Sequence, residues 1–441
     1  MKNKGVFHFR PFSQKQRKVL NWWTDGSPVS DSDGIICDGA IRSGKTLSMS
    51  LSFALWAMSR FNGENFGMCG KTVGSFRRNV LFWLKLMLAG RGYHCDDHRT
   101  ENLVIISRGE VENYFYIFGG KDERSQDLIQ GITLAGVFLD EVALMPESFV
   151  NQATGRCSVE ESKMWFNCNP ENPAHWFKTK WIDKAAEKRL LYLHFTMEDN
   201  LSLSEKTKQR YRRMYTGVFF ERYILGLWTM AEGMIYPMYK DAIQAPPEST
   251  KEQDRNAEFI VSLDYGTQNA FAAVLWRRYD KIWWAVSEYY YSGRETGVAK
   301  TDAQYEADMD AWLKDTAPGK TIRVIIDPSA ASFIAVLRQK MLPGNTHPEY
   351  FLHRYKVQPA DNEVLDGIRE TGSAMQQGLI KFSPALKNWR REVEGYVWDD
   401  NPKVDRPVKE NDHAQDAVRY FVKTMKLIKK HNAPEREPLW N

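Results

Sequence analysis

Between residues 47 and 58 apolar side chains fall at Leu47, Leu51, Ala54, Leu55 and Met58. This spacing brings them to one side of an α-helix and predicts a helix laid by that face on a sheet. Around it the pattern changes to short apolar runs at 34–37, 66–69, 103–106, 114–118, 137–139 and 164–166, separated by helical or turn-rich stretches. That rhythm predicts strands alternating with helices, an α/β domain. From 231 to 257 the periodicity fails, and Tyr236-Pro237, Ala245-Pro246-Pro247 and the charged run 251–255 gather the residues of an exposed connection. The expected division is therefore 1–240, a linker at 241–256, and 257–441. In the last part, runs at 259–263, 270–276 and 282–286 predict an antiparallel meander. A helix around 303–312 precedes a further strand at 322–326, so this half is mixed α/β as well. The basic tail from Lys426 reads as a mobile end.

A chain of 441 residues exceeds what one core normally supports, which agrees with two domains. Its net charge of +4 permits a nucleic-acid partner without demanding one. Cys37, Cys69, Cys95, Cys157 and Cys168 show neither C-x-x-C spacing nor a histidine at zinc-finger distance, so a reduced intracellular protein without disulfides or structural zinc is expected. The opening residues lack the apolar stretch of a secretion signal, and no run approaches a membrane span, so a cytoplasmic protein without a membrane partner is expected.

The chemistry starts at Gly39-Ala-Ile-Arg-Ser-Gly44-Lys45-Thr46, which fits G-x-x-x-x-G-K-[ST] at every fixed position and sits between an apolar run and a helical pattern. Gly39 and Gly44 let backbone N–H groups turn toward phosphates, Lys45 brings a point charge to the β/γ oxygens, and the Thr46 hydroxyl can ligate Mg²⁺. This Walker A loop predicts binding and hydrolysis of a nucleoside triphosphate. Downstream, the apolar run 134–139 delivers Asp140 and Glu141, a Walker B pattern: Asp140 to hold Mg²⁺ and Glu141 to orient the attacking water. Arg42 inside the loop is a candidate sensor or finger, with Arg156 a weaker one. Phe12 and Gln16 form an aromatic and amide pair suited to adenine. Asn167 and Asn169, just after the next apolar run, could feel the γ-phosphate and pass its loss to a moving element.

In the second half, Asp264 and Asp327 each close an apolar run, and Asp412-His413-Ala-Gln-Asp416 opens a helical stretch that puts His413 and Asp416 on one face. Three converging carboxylates would repel unless cations sat among them. Asp264, Asp327 and Asp416 are thus candidate ligands of two Mg²⁺ or Mn²⁺ ions for phosphodiester hydrolysis, and His413 could position water or phosphate. Asp412 is expected to cap the helix, and Glu288 to serve as a reserve ligand.

The order of these motifs, ending in Asp412-His-Ala-Gln-Asp416-Ala-Val-Arg-Tyr420, resembles the large terminase subunit of tailed double-stranded DNA bacteriophages over nearly the whole chain. The resemblance implies an N-terminal P-loop (ASCE-type) ATPase domain that translocates double-stranded DNA, with Asn169 in its coupling motif. It implies a C-terminal RNase H-like endonuclease with metal ligands at Asp264, Asp327 and Asp416. It also implies a small terminase subunit, a portal on the procapsid, a pentameric homo-oligomeric ring, and action in the cytoplasm of the infected bacterium, docked at the portal. The loop arginine departs from the pattern of many members, which place it one residue earlier than Arg42. A repair or recombination helicase–nuclease and a non-catalytic structural ATPase are the competing readings.

Overall fold

Strand pairing sorts the chain into two sheets. The computed structural model describes residues 11–250, 257–266, 269–317, 321–339, 354–400 and 405–428. The first sheet has the order β3-β4-β5-β2-β6-β7-β1-β8. Its strands are β1 (Gly34–Gly39), β2 (Asn65–Gly70), β3 (His94–His98), β4 (Leu103–Arg108), β5 (Val111–Gly119), β6 (Gly136–Asp140), β7 (Lys163–Asn167) and β8 (Leu190–Phe195). From β5 to β8 every pair is parallel, and β3 and β4 add an antiparallel edge. The central strands β1 and β6 are buried throughout, as strands covered on both faces must be. Two of the eight strands lie outside the apolar runs: β3 is the polar His-Cys-Asp-Asp-His edge, and β8 alternates buried ends with part-exposed positions.

The Lys45–Arg60 helix follows β1 as predicted, but it is not one-faced. Ser48, Ser50 and Ser52 are buried along with Leu51, Phe53 and Ala54, because the Gln14–Asn21 helix covers its outer side. The serines are tolerated there because each hydroxyl finds a backbone carbonyl: Ser48 donates to Gly44, Ser50 to Leu47, and Ser52 to Val19.

The second sheet has the order β13-β12-β9-β10-β11-β14. Its strands are β9 (Phe259–Asp264), β10 (Ala270–Tyr279), β11 (Ile282–Ser292), β12 (Thr321–Ile326), β13 (Arg354–Pro359) and β14 (Ile380–Phe382). The predicted meander β9-β10-β11 is antiparallel, and β12 joins β9 in parallel. The His413–Thr424 helix crosses the face of this sheet, where Phe421 stacks on Trp276 with ring centroids 3.9 Å apart. Trp276 in turn donates its indole N–H to Ser262 Oγ at 2.9 Å, so the aromatic anchor has both packing and a polar partner.

The stretch from Ala231 into the predicted linker packs on the second unit. Ala231, Ile235, Tyr236, Tyr239 and Ala242 belong to the second unit's core, and Gln244 N–H bonds to Phe382 O at 2.9 Å. The charged run 251–255 lies outside the described residues. No helix among the described residues is long and apolar enough to cross a membrane.

Candidate active sites

The phosphate loop leaves β1 at Gly39, which only glycine can occupy: its φ is +122°, and a Cβ there would stand 1.9 Å from Phe195 O. Gly44 begins the helix at φ +86°, and a Cβ on it would meet the Gln16 amide at 2.3 Å. Beside them Lys45 is buried, its Nζ 2.9 Å from Gly39 O, 2.7 Å from Ala40 O, 3.2 Å from Ser43 Oγ and 3.2 Å from Asn169 Oδ1. The ammonium is thus held on the loop's own carbonyls and on the Asn169 amide two residues past the end of β7. Burial lowers its pKa to about 8.

Strand β6 brings the acids to the loop and β7 brings Asn167. Thr46 Oγ1 donates to Asp140 Oδ1 at 3.0 Å, and Asn167 Nδ2 reaches Thr46 Oγ1 at 2.8 Å as well as Asp140. Burial first, and then the neighbouring Glu141 carboxylate, raises the Asp140 pKa; burial raises that of Glu141 against the opposing charges of Lys71 and Lys45. Glu141 holds φ +58°, and so does Arg42 across the cleft. Left-handed backbone at non-glycine residues costs on the order of 1 kcal/mol each and collects at functional sites. Asn167 Oδ1 is buried without a hydrogen-bond partner, next to the Thr46–Asp140 pair. An unsatisfied acceptor beside a hydroxyl and a carboxylate is the donor set that a hydrated Mg²⁺ satisfies, so the residues fit that ion. Asn167 is the site residue that sequence reasoning undervalued; its place at the last position of β7, beside Asp140 on β6, is the signal that finds it.

Arg42 lies at the cleft with its guanidinium 5.5 Å from the Tyr211 ring centroid. Arg156 ends the Glu147–Gly155 helix beside Gln152 and does not line the cleft. Gln16 takes part in a capping box with Ser13, its Oε1 accepting Ser13 N–H at 3.0 Å, and its amide nitrogen faces Gly44. The cleft, of about 1470 Å³, is closed on one side by the second unit: Leu365, Asp366, Arg369 and Glu370 of the Val364–Gln376 helix line it. No pattern in the sequence announces that wall.

In the second unit Asp264 ends β9, Asp327 follows β12, and His413 and Asp416 open the last helix. His413 Nδ1 lies 2.8 Å from Asp264 Oδ2, which raises the imidazole's pKa; burial raises that of Asp264. The Tyr420 hydroxyl stands 3.5 Å from Asp264 Oδ1 and 3.4 Å from Asp327 Oδ2, so the two strand-end acids converge on it. For Asp327 burial pushes up, but hydrogen bonds from Ser329 and Asn362 outweigh it and the pKa falls below the usual carboxylate range. Asp416 is held by Arg419 at 2.9 Å. Among the described residues no three His, Cys, Asp or Glu side chains are grouped so as to hold a metal ion. The donor types suit Mg²⁺ or Mn²⁺, and a cation would compete with Arg419 for Asp416.

Two expectations change. Asp412 occupies the N-cap position but makes no side-chain cap; Glu392 supplies it, accepting from Ala414 N–H at 2.6 Å and Gln415 N–H at 3.3 Å. Glu288, the expected reserve ligand, is engaged as a helix cap. Its carboxylate accepts from Asn388 N–H at 2.6 Å and Trp389 N–H at 3.0 Å, capping the Lys387–Gly395 helix.

A Walker A loop facing Asp140 and Glu141 on a parallel sheet, joined to an RNase H-like unit with acids at its strand ends, defines a P-loop ATPase coupled to a nuclease fold. The family model described as terminase large subunit, T4likevirus-type, N-terminal, matches residues 36–240. The solved large terminase of a thermophilic bacteriophage is 53% identical over 94% of this chain and 99% of that one, with a TM-score of 0.82. The complex of that phage's terminase with ADP gives 52% identity, 94% and 99% coverage and a TM-score of 0.78. Its complex with ATP-γ-S gives 51%, 93% and 98%, and 0.77. No curated protein matches the chain. The chain belongs to the large terminases, the genome-packaging motors of tailed bacteriophages.

Proposed function

We propose that this chain hydrolyses ATP to drive double-stranded DNA into a procapsid and cuts concatemeric genome DNA with a metal-dependent nuclease. The observation that carries the motor half is the 3.0 Å contact between Thr46 and Asp140, which puts the loop hydroxyl and the Walker B acid at one point. Gly39 and Gly44 shape the cradle, Lys45 leaves the loop carbonyls for the phosphates, Thr46 and Asp140 hold Mg²⁺, and Glu141 orients the attacking water. Gln16 contributes to adenine binding from its place against Gly44, Arg42 senses the γ-phosphate, and Asn169 links Lys45 to the coupling segment. The nucleotide complexes of the thermophilic phage's terminase support ATP as the ligand.

For cleavage, Asp264, Asp327 and Asp416 hold two divalent ions, Mg²⁺ or Mn²⁺, and His413, fixed by Asp264, positions water or the scissile phosphate. When bound, such ions activate water and neutralise the leaving oxygen. Convergence of Asp264 and Asp327 on Tyr420 supports this assignment. By family membership the partners are double-stranded DNA, a small terminase subunit, the portal of the procapsid and further copies of the chain in a ring, pentameric when engaged, in the host cytoplasm. The units divide as an ATPase domain, a connection and a nuclease domain, with 231–244 packed on the latter. The test is Glu141→Gln in a packaging assay: ATP turnover and packaging stop while metal-dependent nicking persists, and normal packaging refutes the motor.

A further inference from the structure

One buried acid has no part in the chemistry above. Asp38, fully buried, is the residue of β1 immediately before Gly39, and it does not line the nucleotide cleft. A carboxylate with no access to water needs hydrogen bonds on both oxygens, and it has them. Oδ1 lies 3.0 Å from Nδ1 of His194, its register partner on β8, and Oδ2 accepts the indole N–H of Trp228 at 2.6 Å.

Trp228 belongs to a short stretch, 221–229, that runs across the loop. Ile41 N–H bonds to Tyr223 O at 2.9 Å. Gly226, at φ +77°, approaches so closely that a Cβ would stand 2.8 Å from Ala40 N. The same stretch is pinned at its other side by Arg222, which donates to Thr229 O at 2.9 Å and to Asp405 of the second unit at 2.6 Å. The phosphate loop is therefore held by its nucleotide-facing residues and also, from behind, by a strap whose charge-assisted contact to the loop's strand is Asp38–Trp228.

We infer that Asp38 is a positioning residue of the ATP site, holding the phosphate loop on the 221–229 strap through Trp228 and on β8 through His194. This rests on the ATPase reading above. A loop released from its strap presents Lys45 and Thr46 less accurately, and a hydrogen bond to a charged group of this kind is worth about tenfold in rate.

The test is steady-state ATP turnover by the full chain carrying Trp228→Phe, which removes the donor and keeps a ring, alongside Asp38→Asn and the double variant. Trp228→Phe lowers the melting temperature, because Asp38 Oδ2 loses its donor, and at a temperature where it is fully folded it lowers kcat about tenfold with KM within about threefold, while the stoichiometry of bound mant-ADP stays that of wild type. The double variant loses no more than Asp38→Asn alone, because Asp38→Asn already disturbs the Trp228 contact together with the one to His194. Turnover by Trp228→Phe within twofold of wild type overturns the inference, as does a loss that merely follows the bound mant-ADP. A wild type that turns over no ATP instead refutes the ATPase reading and takes the inference with it.

Discussion

The two sites are built in opposite ways. In the ATP cleft the parts already touch: Lys45 on its loop, Thr46 on Asp140, Asn167 on both. In the nuclease unit each acid has its own partner, Asp264 the imidazole of His413, Asp416 the guanidinium of Arg419, and Asp327 hydrogen bonds from Ser329 and Asn362. A phosphate site can be preorganised without its ligand because its donors are backbone N–H groups and one cation that rests on carbonyls. A site made of carboxylates repels itself, and here each acid has its own protein partner, which a bound cation would have to displace.

The largest expected effect breaks the first site alone. Lys45→Ala should lower ATP turnover by on the order of a thousandfold, with plasmid nicking unchanged; a parallel loss of nicking would mean that the sites are not separate. Asp264→Ala should lower nicking by at least about a hundredfold with turnover within twofold, and unimpaired cutting would remove Asp264 from the site.

Asp405→Ala probes the asymmetry between the units, since the ATP cleft borrows a wall from the nuclease unit. It takes the nearest carboxylate from Arg222, which is 2% exposed and keeps only Thr229 O and the more distant Glu171, and should cost about 3 kcal/mol in urea unfolding; a change below about 0.5 kcal/mol would show that the pair does not bind the units together. Smaller again is Glu171, whose carboxyl burial pushes up to about 7 from an ordinary 4.5. Across that window the folded chain binds more protons than the unfolded one, so this group's contribution makes stability fall as pH rises. Glu171→Gln should therefore stabilise by about 2 kcal/mol at pH 8, and by much less at pH 5. Equal gains at the two pH values would contradict the assignment.

The same contrast decides what could be read from the chain. The phosphate loop lies in eight consecutive residues and Asp140-Glu141 in two, so the motor site is legible as text. Strands with apolar runs were legible for the same local reason, whereas β3 was not, because this edge strand, His-Cys-Asp-Asp-His, carries no apolar run; β8, Leu-Leu-Tyr-Leu-His-Phe, carries one and was missed. Asp264, Asp327 and Asp416 could be named as acids at strand ends and on a helix. That Arg419 holds one of them is a tertiary fact, and so are the caps supplied by Glu288 and Glu392 from distant segments. Asp38 escaped notice because a carboxylate one residue before a glycine has no meaning until β8 and the strap meet it.

The most direct measurement is cleavage of supercoiled plasmid by wild type and Asp264→Ala with Mn²⁺, Mg²⁺ or EDTA, without ATP. Cutting by wild type with either metal, lost in EDTA and in the variant, is the predicted result. Equal cutting by both proteins, or none by wild type with ATP turnover intact, would contradict a metal nuclease built on these acids.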